Sequence, residues 1–184
     1  MKIGVLAVQG AFIEHEHIIE KIGHEVVEIR QRKDLDGIDG IILPGGESTV
    51  QGQLLRKLDM LATIKSLIAD GLPTLATCAG LILLAGHIDN DDSVHIGTLP
   101  VTVKRNAYGR QLGSFVRTAP MKGFDEFPMI FIRAPYISSI KDNVDVLAAV
   151  NDRIVAVQYN NQIGLAFHPE LSGDTRIHEY FISL

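Results

Sequence analysis

The sequence of 184 residues contains a single cysteine, no long apolar run and no excess of basic side chains. One cysteine cannot close a disulfide within the chain, so Cys78 is either a small buried residue or a reactive group. Without a run of about 18 apolar residues the sequence predicts no membrane-spanning helix, and its N-terminus lacks the pattern of a secretory signal. These absences favour a cytoplasmic protein that does not bind membranes.

Charge and composition further narrow the class of protein to which the chain can belong. The formal net charge of -5 provides no basic field to which a nucleic acid or an anionic membrane could bind. Hydrophobic residues make up 46% of the chain, which is enough to bury a sizeable core and argues against disorder. The length, and the lack of repeats, low-complexity tracts and linkers, predict one domain over residues 1–184.

The first half of the chain alternates between two patterns. Short apolar runs that end in turn residues predict buried strands of a parallel sheet, at residues 2–8, 24–30, 39–46 and 73–78. The second of these runs alternates more and is expected nearer an edge. Apolar residues at helical spacing predict helices at 12–22, 48–70, 79–86 and 174–184. Ser48 is the expected N-cap of the second helix.

After about residue 97 the pattern changes to short β-rich pieces joined by turn residues, including the dipeptides at 151–152 and 160–161. These pieces predict hairpins added to the parallel sheet. The fold class is therefore α/β, a flavodoxin-like three-layer sandwich with a mostly parallel central sheet and an antiparallel β extension.

Four motifs follow predicted strands, at the edge where open parallel sheets bind their ligands. They are VQG at 8–10, PGGES at 44–48, ATCAG at 76–80 and FHPE at 167–170. ATCAG has the form of a nucleophile elbow, and the helix that follows would point its N-terminal dipole at the sulfur of Cys78 and favour the thiolate. A buried structural cysteine explains the same residues equally well.

FHPE supplies a base for such a nucleophile. His168 and Glu170 are two residues apart on a segment expected to be extended, so the carboxylate can orient the imidazole. His168 can then accept the thiol proton and later donate it to a leaving amine. Without the cysteine motif, the pair would more simply be a surface salt bridge.

PGGES is a poor match to a phosphate-binding loop. Glu47 stands where that motif has Lys, and its charge would repel a phosphate. Gly45 and Gly46 instead allow bare backbone N–H groups to approach a reacting carbonyl, so Gly46 and Ala79 are predicted to form an oxyanion hole. A simple Gly-Gly turn after a strand remains the alternative.

The motifs PGGES, TCAGLILLA, RNAYGRQ, FIRAP and FHPEL together resemble the glutaminase subunits of bacterial pyridoxal 5'-phosphate synthases, which are class I, triad-type glutamine amidotransferases. The resemblance extends over essentially the whole chain. It implies hydrolysis of L-glutamine to L-glutamate and ammonia through a cysteinyl thioester. It also implies delivery of the ammonia to a synthase subunit in a hetero-oligomer, where pyridoxal phosphate is built, with no metal or organic cofactor on this chain.

The same resemblance assigns roles to individual residues. Cys78 matches the nucleophile, His168 the general base and acid, and Glu170 the orienting carboxylate. The positions that match the glutamine-binding residues of the family are Gly46, Glu47, Ser48, Arg105, Ile132 and Arg133.

Two positions depart from the family pattern. Ala76 stands where glycine is usual, and it would resist a positive φ if the elbow required one there. Val50 replaces a threonine near the glutamine loop and removes a hydroxyl group.

Other functions remain open on the sequence. The same triad could serve a different synthase, the elbow cysteine could be oxidised in a thiol sensor or chaperone of flavodoxin-like fold, or the chain could be a cysteine protease. A sensor does not explain His168 and Glu170.

Several polar residues outside the motifs are not expected to carry chemistry. His15 and His17 do not predict a metal site, because helix positions two apart do not face each other; a solvated or partner-facing surface is expected for them. The acidic run at 89–93 is expected to be a solvated loop. The remaining histidines without a triad-like context are His87, His95 and His178.

Overall fold

The computed structural model describes residues 1–105 and 113–184. The strands are β1 (Lys2–Leu6), β2 (Glu25–Ile29), β3 (Gly40–Leu43), β4 (Thr74–Thr77), β5 (Ala85–Ile88), β6 (Leu99–Lys104), β7 (Ser114–Met121), β8 (Phe124–Ile132), β9 (Tyr136–Ile140), β10 (Asp145–Val150), β11 (Arg153–Tyr159) and β12 (Gln162–Leu165). The helices are α1 (Phe12–Lys21), α2 (Ser48–Lys57), α3 (Leu61–Ala69), α4 (Ala79–Leu84) and α5 (Arg176–Ile182). Two short 3₁₀ helices cover Arg32–Leu35 and Pro169–Leu171.

One mixed sheet organises the fold, with strand order β2-β1-β3-β4-β12-β11-β9-β6-β5 and β10 paired to β11. The strands from β2 to β12 along this order are parallel, and antiparallel pairing begins between β12 and β11. Strands β7 and β8 form a separate hairpin. The predicted α/β class, with its antiparallel extension, is confirmed, and so is the edge position of β2.

Burial explains why the sequence forms this sheet. Strands β3 and β4 are buried at every position, as expected for strands covered on both faces. The sequence of β3 is apolar throughout, whereas β4 also buries Thr74 and Thr77. The predicted turns in the second half are also present. Asn151, Asp152 and Asn160 adopt left-handed φ values of 50°, 61° and 50°, a conformation that asparagine and aspartate tolerate better than most residues.

The predicted helix at 48–70 is wrong in detail, because two helices, α2 and α3, occupy that segment. Asp59, between them, has a φ of 54°, which breaks the helical path. The N-cap of α2 is Glu47 rather than Ser48, since the Glu47 carboxylate accepts the N–H groups of Thr49 and Val50 at 3.3 and 3.0 Å. Within the described ranges, no helix has the length and apolar character needed to cross a membrane.

Helix α4 packs directly on the end of β3 through a glycine. A Cβ atom on Gly80 would lie 2.0 Å from the carbonyl oxygen of Leu43 and 2.7 Å from its carbonyl carbon. Neither backbone atom can move without displacing β3, so only glycine allows the helix to begin this close to the sheet.

Replacing Gly80 by alanine is therefore expected to lower the free energy of unfolding by about 3 kcal/mol or more, the upper range for an overpacked core position. Urea unfolding followed by circular dichroism measures the change. Gly113→Ala is the matched control, because no atom of residues 1–105 or 113–184 lies within 4 Å of its added Cβ. Similar stabilities of the two variants would contradict this account of the packing.

Candidate active site

A sharp turn at the end of β4 presents Cys78. The residue has φ 49° and ψ -102°, and α4 begins at the next residue. Such a backbone conformation costs about 1–3 kcal/mol in a residue other than glycine. It is held in place by the Cys78 N–H, which donates to the carbonyl oxygen of Leu165 at 2.8 Å. The strain lies on Cys78 itself and Ala76 is an ordinary strand residue, so the departure from glycine at position 76 does not disturb the turn.

His168 follows β12 on the neighbouring part of the sheet. Its N–H donates to the carbonyl oxygen of Ile130 at 2.8 Å, and its ring packs so closely on Gly45 that a Cβ there would lie 2.3 Å from Cε1. Nδ1 of His168 lies 2.6 Å from Oε1 of Glu170. The segment is not extended as predicted; Pro169–Leu171 forms a 3₁₀ turn that brings the carboxylate back to the imidazole.

The charge state of His168 follows from its two partners. Burial alone would lower the pKa of His168, but hydrogen bonds to Cys78 and Glu170, and the charges of these residues, raise it to about 10. Around neutral pH the imidazole is therefore protonated and able to donate a proton. Thiol, imidazole and carboxylate form a continuous series, with the thiol also 3.9 Å from the carbonyl oxygen of Ile132.

A cavity of about 390 Å³ opens over the thiol. It brings together all the predicted site residues except Glu170, which lies behind His168. The predicted residues that line it are Gly46, Glu47, Ser48, Cys78, Ala79, Arg105, Ile132, Arg133 and His168. Gly45, predicted with Gly46 to let backbone N–H groups approach the substrate, also lines it. The lining residues to which sequence analysis assigned no role are Gln9, Ala11, Ile82 and Pro135.

Arg105 supplies unused donors to this cavity. Its Nη1 lies 2.9 Å from Oδ2 of Asp91, while its buried Nε and Nη2 have no hydrogen-bond partner among the described residues. Paired N–H groups of this kind suit a carboxylate. Asp91 belongs to the loop expected to be solvated; it is partly exposed there and pairs with Arg105. The remainder of the RNAYGRQ motif lies outside the described residues.

Two glutamines hold the PGGES loop. Oε1 of Gln9 accepts the N–H of Glu47 at 2.8 Å, and Nε2 of Gln51 donates to the carbonyl oxygens of Gln9 and Pro44 at 3.0 and 3.2 Å. The carbonyl of Gly45 accepts the N–H of Ala11 at 3.0 Å. The peptide between Gly45 and Gly46 is planar and trans, so the N–H of Gly46 points away from the side on which Ala11 contacts the Gly45 carbonyl. The VQG motif after β1 was the only sequence signal for Gln9.

The expectation for one histidine, His15, is wrong. His15 is fully buried rather than solvated, and its Nε2 lies 3.4 Å from Oε2 of Glu170. His178 is also fully buried, and its Nε2 lies 2.9 Å from Nδ1 of His15. His17 does face solvent.

Over residues 1–105 and 113–184, no group of three or more His, Cys, Asp or Glu side chains is arranged to hold a metal ion.

Val50, the other departure from the family pattern, is 40% exposed and does not line the cavity. The hydroxyl group that it lacks is therefore not needed to complete the cavity wall.

Comparisons with known proteins agree with this geometry. The model of the SNO glutamine amidotransferase family matches residues 5–184. The pyridoxal 5'-phosphate synthase subunit PdxT of Desulfitobacterium hafniense is 58% identical over 99% of this chain and 92% of its own length. The subunit of the same name from Streptococcus pneumoniae is 51% identical over 100% and 97%. A crystal structure of a glutamine amidotransferase superimposes with a TM-score of 0.94 at 38% identity, covering 98% of this chain and 97% of that one.

The raised pKa of His168 makes a prediction about stability. In the unfolded chain a histidine has a pKa of ~6.5, so protonated His168 stabilises the fold fully below that pH. The stabilisation is lost as the pH rises through the folded value of about 10. We therefore expect the free energy of unfolding to fall between about pH 7 and about pH 10, and to fall less in His168→Gln, whose side chain does not titrate. Urea unfolding across this range gives both slopes, and equal slopes would rule out the raised pKa.

Proposed function

This chain belongs to the SNO glutamine amidotransferase family, and on that premise we propose that Cys78, His168 and Glu170 hydrolyse the side-chain amide of L-glutamine. One observation carries the proposal. A thiol on a strained elbow, an imidazole and a buried carboxylate lie in series beside a cavity large enough for an amino acid.

Acylation of Cys78 is the first step. The thiolate attacks the carbonyl carbon of the amide, and the backbone N–H groups of Gly46 and Ala79 stabilise the oxyanion, each contributing about 3 kcal/mol. Ala79 is the first residue of α4, so its N–H has no acceptor within the helix. Protonated His168 then gives its proton to the departing nitrogen. The C–N bond breaks, and ammonia leaves a glutamyl thioester on Cys78.

Deacylation uses the same residues in reverse order. Neutral His168 takes a proton from a water molecule, which attacks the thioester carbon. The C–S bond breaks, glutamate is released, and the thiolate and imidazolium are restored. Glu170 keeps Nδ1 of His168 in its hydrogen bond throughout, so the other ring nitrogen remains directed at the reacting atoms.

The charged residues of the cavity suit the two charged groups of the substrate. Arg105 and Arg133 bind the α-carboxylate, and Glu47 binds the α-ammonium group. Ser48 and Ile132 complete the walls beside the side-chain amide. This division explains why a cavity in a chain of negative net charge presents two arginines.

The ammonia serves the synthesis of pyridoxal 5'-phosphate. The chain is the glutaminase subunit of this synthase, as the names of relatives at 51% to 58% identity over almost their whole length support. Ammonia passes to a synthase subunit in a hetero-oligomer, and this chain needs no metal or organic cofactor of its own. Its compartment is the cytoplasm, where a catalytic thiol stays reduced.

The experiment that tests the proposal measures glutamate release with and without a purified synthase subunit. We expect the wild-type chain alone to be a poor glutaminase, the synthase to stimulate it, and Cys78→Ala to abolish turnover because no nucleophile remains. Circular dichroism of the variant should match the wild type. Substantial hydrolysis by Cys78→Ala would remove the thiol from the mechanism, and equal wild-type rates with and without the synthase would contradict the partnership.

Arg105 should act on binding. Arg105→Gln is expected to raise KM for glutamine about 10- to 100-fold, the loss of a charge-assisted hydrogen bond, with kcat largely unchanged. Arg117→Gln is the matched control, because Arg117 is exposed on β7 and does not line the cavity. Steady-state kinetics of the complex separates the two constants. A fall in kcat at unchanged KM would contradict the assignment.

A further inference from the structure

We propose that His15 is a positioning residue for Glu170, and that His178 fixes the tautomer in which His15 does this. The inference rests on the proposed function, since it concerns the carboxylate of the same triad. The two imidazoles come from elements distant in sequence, α1 and α5, and meet behind the 3₁₀ turn that carries Glu170.

The second oxygen of Glu170 is the starting point. The Glu170 side chain is fully buried, and its Oε1 is taken by His168. Oε2 makes no hydrogen bond in the described part of the chain. An unpaired buried carboxylate oxygen is costly. Nε2 of His15, on a side chain that is also fully buried, lies 3.4 Å from Oε2, close enough for a small adjustment to make the bond.

The neighbours of His15 select its tautomer. If Nδ1 of His15 carried the proton, it would donate to Nε2 of His178. Nε2 of His15 would then present a lone pair, with the Thr77 hydroxyl 3.3 Å away as its donor, and would have no proton for the carboxylate. Nδ1 of His178, which has no partner in the described residues, would then be a buried unpaired N–H. In the other tautomer, His178 donates to His15, and His15 directs its Nε2–H towards Glu170. That arrangement leaves only an imidazole lone pair unmatched.

Both imidazoles are neutral. Burial, followed by the neighbouring imidazoles of His178 and His168, lowers the pKa of His15 well below its usual value. Burial lowers the pKa of His178 to about 4, against the opposing charge of Asp174. The contact between His15 and Glu170 is therefore a hydrogen bond from a neutral donor rather than an ion pair. Thr77 of β4 completes the surroundings, with its hydroxyl 3.3 Å from Nε2 of His15.

The hydrogen bond from His15 would fix the orientation of the Glu170 carboxylate. A carboxylate held at both oxygens cannot rotate, so Oε1 of Glu170 stays 2.6 Å from Nδ1 of His168. The imidazole then keeps its orientation towards Cys78. With Oε2 released, the carboxylate is free to turn, and a small misplacement of a catalytic group can lower a rate by up to ~100-fold.

Two amide variants separate this role from simple packing. The side-chain nitrogen of His15→Gln can take the place of Nε2, whereas that of His15→Asn reaches only the place of Nδ1. In the complex with the synthase we expect His15→Gln to keep kcat for glutamine within about 3-fold. We expect His15→Asn to lose about 10- to 100-fold in kcat with KM little changed. His17→Asn, on the exposed side of α1, is the control.

The titration of His168 provides a second readout. The titration midpoint of the His168 imidazole, followed by NMR, should move to lower pH in His15→Asn, where the interaction of His168 with Glu170 is weakened. In His15→Gln the midpoint should equal that of the wild type. Similar kcat values for the two amide variants, or an unmoved titration in His15→Asn, would overturn the proposal. If His15→Asn does not fold, His178→Leu and His178→Gln test the same tautomer, and the leucine variant should be the slower. A wild-type chain that does not hydrolyse glutamine would instead refute the proposed function, and the titration would still decide the role of His15.

Discussion

The parallel pairing of β4 with β12 is the constraint on which the site depends. The register runs from Thr74 opposite Gln162 to Thr77 opposite Leu165. Cys78 leaves the sheet immediately after this pairing, and His168 follows from the other strand. Because side chains alternate along a strand, a slip of one residue would turn these segments to opposite faces and separate the thiol from the imidazole. The hydrogen bond from the Cys78 N–H to the carbonyl oxygen of Leu165 fixes this register at the point where Cys78 leaves the sheet.

The site combines features that are individually unfavourable. Cys78 has a strained backbone, Glu170 is a buried carboxylate, and His15 and His178 are imidazoles buried in neutral form. Such features persist where the surrounding structure determines them strongly. Here the centre of the sheet provides that support, since β3, β4 and β12 are buried along their whole length. The stable centre of the fold and the reactive site are therefore the same region.

Much of this could be predicted from sequence, and the failures have physical reasons. Apolar runs and turn residues predicted the strands. Motifs at strand ends predicted that Cys78, His168 and Glu170 would lie together, because parallel strands present their carboxyl ends at one edge. The break at Asp59 was missed because apolar spacing continues across it. His15 was misplaced because the spacing of His15 and His17 excludes a shared metal but does not say which face of α1 is buried. His178 joins His15 only through tertiary packing, which local patterns do not contain.

The most direct measurement of the central claim is covalent trapping by an electrophilic analogue of glutamine, located by mass spectrometry of proteolytic peptides. The account predicts one adduct, on the peptide containing Cys78, formed more slowly when glutamine competes and also when Gln replaces His168. Modification at another residue, or an adduct whose rate depends on neither glutamine nor His168, would contradict the claim that the β4–β12 register assembles an amide-cleaving thiol and imidazole.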